Sequence, residues 1–117
     1  MQSDNEVLSL SRMFGSRIVK LYRHLITEQK EYILSKQIVR SGTSIGANIH
    51  EARYAQSRSD FISKMHIALK EASETEYWLM LLHDGNYLNQ SLYESLRKDC
   101  TSLIRLLTAI LNTSKKS

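Results

Sequence analysis

Proline is missing altogether from this chain. Average usage of ~5% would place about six prolines in a sequence of this size. Proline lacks a backbone N–H and breaks helix interiors, so its absence leaves long helices uninterrupted. Glycine is scarce as well, at four residues. A single cysteine, Cys100, excludes an internal disulfide and any cysteine-based zinc site. It lies in an apolar-periodic stretch, where a small buried thiol packs as a hydrophobe rather than acting as a nucleophile. No apolar run approaches the ~18 residues of a membrane span, and no charged-then-apolar leader opens the sequence. A cytoplasmic, reducing setting without membrane attachment is expected. Repeats, linkers and low-complexity segments are missing too.

What is present reads as helix. The 117 residues suit one domain, 1–117, and their apolar (42%) and charged (24%) shares are those of a folded globular chain. Ser3 with Glu6 has the spacing of a capping box. After it Val7, Leu10, Phe14, Ile18, Leu21 and Leu25 keep one helix face inward. Thr27–Glu31 reads as a tight connection. A second helix is expected from about Tyr32 to Gln56, with Leu34, Ile38, Ile45, Ile49 and Ala52 inward. Its middle, Ser41-Gly42-Thr43-Ser44-Ile45-Gly46, is rich in poor helix formers, each glycine costing about 1 kcal/mol relative to alanine. Gly42 and Gly46 are four apart and open one face. Close approach of a neighbouring helix explains them best, a kink is the alternative, and a phosphate loop lacks its Gly-Lys-Ser/Thr.

Ser57-Arg58-Ser59-Asp60 reads as a helix stop and a new N-cap at Asp60. The third stripe is Phe61, Met65, Ala68, Ala72, Leu79 and Leu82, ending at Asp84-Gly85 with glycine as C-cap. Asn86–Asn89 makes the last turn, and Ser91 with Glu94 suggests another capping box. Leu92, Leu96, Leu103, Leu107 and Ile110 form the fourth stripe, before a frayed basic end at Lys115 and Lys116. Four amphipathic helices with short connections predict an all-α, antiparallel up-down four-helix bundle.

Chemistry finds little purchase on it. Di-iron bundles need Glu-x-x-His units, yet Leu21, Ala47, Ser63 and Met80 stand three residues before His24, His50, His66 and His83. No two histidines are four apart, which removes a His-x-x-x-His zinc pattern. Glu71 and Glu74 suit a solvated face, and Glu76 a partly buried ion pair with an arginine. No nucleophile elbow is present. The expectation is a protein that is not an enzyme and needs no metal or cofactor.

Charge is more informative. The net charge is +4 and the pI near 9.3. Residues 1–27 carry four basic and two acidic side chains, residues 85–117 five and two, and residues 58–84 three and five. Basic ends thus flank an acidic third helix. Arg17, Lys20 and His24 form one stripe of the first helix with Arg23 close by, and Lys36 and Arg40 are i,i+4 on the second. Such a face either is simply solvated or contacts a phosphate backbone. Seven residues, Tyr22, Tyr32, Tyr54, Tyr77, Trp78, Tyr87 and Tyr93, exceed what four thin stripes absorb. Ile26, Ile62 and Leu81 also fall off the stripes, so self-association is expected.

The run Ser35–Ala52 resembles the four-helix-bundle proteins encoded in intervening sequences of bacterial 23S rRNA genes. The matching positions are Gln37, Arg40, Ser44, Ile45, Asn48, Ile49 and Glu51, then Arg58, Ser59 and Phe61 at the next turn. Glu71–Glu76 with Leu79 resembles that family's third-helix pattern. The sequence departs from it at His50, where a small residue is usual, and at Ala52, where glycine is frequent. The resemblance implies a bundle assembling into a ring-like homo-oligomer, a homopentamer. It also implies relatives among the accessory variability proteins of diversity-generating retroelements, which work with a reverse transcriptase and RNA. Two functions follow as expectations. One is a non-enzymatic RNA- or DNA-binding accessory factor using Arg17, Lys20, Arg23, Lys36 and Arg40. The other is a protein–protein scaffold with no nucleic-acid role.

Overall fold

Capping side chains decide where these helices begin and end. In the computed structural model the backbone is described for residues 2–116 and side chains for 4–114. Helix α1 spans Gln2–Thr27, starting ahead of Ser3, whose side chain in the expected capping box lies outside the described residues. Helix α2, Leu34–Ala52, is shorter at both ends than the apolar pattern predicts. Its cap is Glu31, a residue that reads as plain loop in the sequence. The Glu31 carboxylate accepts from the backbone N–H groups of Ile33, Leu34 and Ser35, at 3.2, 3.0 and 2.7 Å. Ser35 Oγ donates back to the Glu31 carbonyl at 2.8 Å, so four polar groups are satisfied at one buried corner.

Helix α3 covers Arg58–Asp84 and α4 Gln90–Lys116. The cap of α3 is Ser57, whose hydroxyl accepts from Asp60 N at 3.0 Å. Asp60 Oδ2 instead accepts from Gln56 N, one residue ahead of the cap, at 3.3 Å. At the other end Gly85 is the C-cap, with φ −82°. The left-handed residue is Asn86, at φ 66°. Bonds from Asn86 N to His83 O and from Tyr87 N to Leu82 O complete a Schellman stop. Asn89 Oδ1 caps α4 by accepting from Leu92 N at 2.8 Å, while Glu94 accepts from Gln90 rather than boxing Ser91. Helix α4 reaches Lys116 without an earlier stop, though the side chains of Lys115 and Lys116 lie outside the described residues.

The four helices form an up-down bundle, α2 packing on α1 and α3, and α4 closing the ring between α3 and α1. The inward stripes are those read from the sequence, except that Leu10, Leu34, Phe61 and Leu92 sit at the core's edge. Leu88, Tyr93, Cys100 and Leu111 join the core. Gly42 and Gly46 serve a close approach of α1 within an unbroken helix. A Cβ on Gly42 would stand 2.8 Å from Ile18 Cγ2, and one on Gly46 3.3 Å from Ser11 Oγ. Two buried hydroxyls meet between α2 and α3, where Thr75 Oγ1 lies 2.8 Å from Ser41 Oγ and 2.7 Å from the Glu71 carbonyl.

Much of the aromatic surplus is absorbed within the chain. Tyr93 is buried and stacks on His83 at 4.1 Å between centroids. Trp78 is half-buried and donates Nε1–H to Glu74 at 3.1 Å. Tyr32, Tyr54 and Tyr77 remain exposed, with Ile33 the most exposed large apolar side chain at 75%.

Candidate functional site

The five basic residues singled out by spacing do not converge on one surface. Arg17 turns toward α4, where its guanidinium meets Asp99 Oδ2 at 2.7 Å and Ser95 Oγ at 2.9 Å. Arg40 turns toward α3 and pairs with Glu74 Oε2 at 2.8 Å. Glu74 therefore bridges Arg40 and Trp78 rather than standing on a plain solvated face. Glu76 is partly buried 3.8 Å from Arg97, as its position near the apolar stripe predicts. One oxygen of Glu71 is buried without a hydrogen-bond partner among the described residues, again unlike a solvated carboxylate.

Lys20 and Arg23 lie elsewhere, in a groove of about 840 Å³ that runs between the outer faces of α1 and α2. Gly15, Gly46 and Ala47 keep its floor low, and Leu8 and Val19 make it apolar. Its cations are Arg12, Lys20 and Arg23 from α1 and Arg53 from the end of α2, joined by His50. No aspartate or glutamate lines it. None of the four cations has a carboxylate partner among the described residues. Lys36 is exposed and does not line the groove. Positions 36, 43 and 50 are spaced by sevens, however, so Lys36 continues the α2 stripe on which Thr43 and His50 face it. The antiparallel register set by the Gly42–Ile18 contact brings Lys36 level with Arg23, at the groove's end.

Arg12, His50 and Arg53 escape a reading based on charge stripes alone. Their signal is the pair Gly42 and Gly46. Both mark α2's approach to α1, and carrying that approach outward along each helix leads to the cations on either side. A smaller cavity of about 300 Å³ sits at the Arg53 end of the groove, lined by Asp4, Val7, Ile49, Arg53, Phe61 and Met65 among others. No group of three or more His, Cys, Asp or Glu able to hold a metal occurs among the described residues. Among them, no helix is long and apolar enough to cross a membrane.

Residues 3–109 match the model of the 23S rRNA-intervening sequence protein family. The chain belongs to that family. A solved structure agrees over nearly its full length: a protein of unknown function from the S23 ribosomal protein family of Bacteroides thetaiotaomicron. It is 56% identical, with a TM-score of 0.93, covering 94% of this chain and 98% of that one. No curated protein matches the sequence. In this member of the intervening-sequence family, the α1/α2 groove gathers four cations and no carboxylate.

Proposed function

We propose that the protein is a non-enzymatic, ring-forming accessory factor that holds the phosphate backbone of RNA or DNA in the α1/α2 groove. The observation that carries this reading is the set Arg12, Lys20, Arg23 and Arg53, gathered on one concave surface without a carboxylate. Concentrated positive charge with no internal counter-ion attracts a polyanion, and each phosphate neutralised releases condensed counterions. Lys36 widens the surface beside Arg23. Arg17 and Arg40 contribute little in this reading, since Asp99 and Glu74 already neutralise them. The ring is supported by apolar side chains left outside the single-chain core, among them Ile33, Tyr77 and Met80.

Fluorescence anisotropy with labelled RNA and DNA across a salt series tests the reading. Four engaged cations give a slope of log K against log salt of about −3 for a single strand. Lys20→Ala with Arg23→Ala lowers the affinity and makes that slope shallower by about 1.4. Arg17→Ala with Arg40→Ala leaves the slope where it was. No binding at low salt would end the nucleic-acid role, and a protein partner for the groove would be the rival reading.

A further inference from the structure

We infer that the groove takes single-stranded rather than duplex nucleic acid, with one base stacked on Tyr54. This deepens the phosphate-binding reading and rests on it. Tyr54 follows directly on Arg53, just past the end of α2, and the residue is 71% exposed. It is nonetheless held in place. His50, which lines the groove, meets it edge-to-face at 6.0 Å between centroids. The guanidinium of Arg53 lies 5.7 Å from the ring centroid, and Tyr54 N donates to the Glu51 carbonyl at 3.0 Å. An aromatic ring thus rests against His50 and Arg53, two residues that line the basic groove, although Tyr54 itself does not line it. That is the combination by which proteins bind unpaired strands, phosphates on the cations and base faces on the ring.

The groove's own surface argues the same way. Its charges alternate with apolar wall from Leu8 and Val19. A duplex hides its base faces inside the stack and offers phosphate, sugar and base edges, but no base face, to such a wall. An unpaired strand can lay bases on it. Measured along α1 from Asn5 to Arg23, the groove runs about 27 Å at a helix rise of roughly 1.5 Å. A strand with stacked bases, spaced about 3.4 Å, would place on the order of eight nucleotides along it.

The test uses the full chain and four fluorescent 12-nucleotide probes: oligouridine, oligothymidine, and RNA and DNA duplexes of the same length. Inorganic polyphosphate, a polyanion without bases, serves as competitor. The expected result is tighter binding of single strands than of duplexes. Tyr54→Ala then loses on the order of ten-fold in single-strand affinity, the size of one base–aromatic stack. Tyr54→Phe keeps it. Polyphosphate displaces the strands from wild type, and more readily from Tyr54→Ala, whose salt slope is unchanged. Binding by either single strand supports the inference, and the tighter of the two names the sugar. Equal affinity for duplexes, or a Tyr54→Ala variant indistinguishable from wild type, overturns it while leaving the groove's phosphate role intact. Failure of polyphosphate and every probe to bind at low salt overturns both. Tyr54 packs on the surface beyond the helix, so unchanged circular dichroism confirms that the variants report on binding.

Discussion

At the scale of single residues, two glycines on different faces make opposite predictions. Gly42 is pressed against Ile18, a β-branched side chain buried in the core that has no free end to swing away. Adding a methyl there forces overpacking of about 1–3 kcal/mol, against a helix-propensity gain of about 1 kcal/mol. Gly15 has nothing within 4 Å of an added Cβ. Gly42→Ala should therefore lower the urea midpoint and Gly15→Ala raise it, the latter adding up to about 1 kcal/mol of stability. Shifts of the same sign would contradict the packing. Cys100 makes a second prediction. Burial holds its thiol protonated, pushed up to about 12 from an ordinary 9.0, with Glu76 adding to the effect. The folded state then keeps a proton that the unfolded chain releases, so this contribution is flat below pH 9 and stability falls above it. Denaturant titrations at pH 8 and pH 10 should show a larger loss for wild type than for Cys100→Ala. Equal losses would mean that the thiol is not held in this way.

At the scale of elements, helix faces and the Gly85 stop of α3 are legible in the sequence, and the N-terminal caps of α2, α3 and α4 are not. Spacing of three and four marks the inward side whatever the neighbour is, which is why Phe14, Ile45, Leu79 and Leu103 are all buried where the pattern puts them. A cap depends on a local backbone path that periodicity does not describe. Glu31 can cap α2 only because the chain turns through Lys30, at φ 56°, and carries the carboxylate under three free N–H groups. Glu31→Ala should cost at least the ~1 kcal/mol of an ordinary N-cap, since it leaves those donors buried. Lys30→Gly should act in the other direction, because a side chain in the left-handed region costs about 1–2 kcal/mol that glycine avoids. Thermal unfolding of the two variants checks both signs. A neutral Glu31→Ala would show that α2 is held by packing alone.

At the scale of the whole molecule, the candidate site was half legible. Lys20 and Arg23 were found, but sequence spacing could not show that Arg17 is neutralised from 82 residues away, or Arg40 from 34. Which cations stay unpaired is decided by tertiary pairing, so a charge stripe overstates the surface it predicts. Assembly faces the same problem with apolar residues, since only the fold tells which of them the chain buries for itself. The contacts of Arg40 with Glu74, Ser41 with Thr75 and Glu51 with Lys64 fix the register of α2 against α3. Extended to the start of α2, that register brings exposed Ile33 to the end of the bundle where exposed Met80 and Tyr77 stand on α3. Exposed apolar groups at one end of a bundle 47 Å long suit contact with another copy better than solvent. If the ring forms through this end, light scattering should give a multiple of 13.5 kDa, five-fold for a pentamer. Ile33→Glu with Met80→Glu places uncompensated charge in that contact and should reduce the mass to one chain while helicity persists. A wild type that already runs as one chain would remove the ring. A variant that keeps its full mass would move the contact to another face, and would free Ile33 and Tyr77 to serve a different partner.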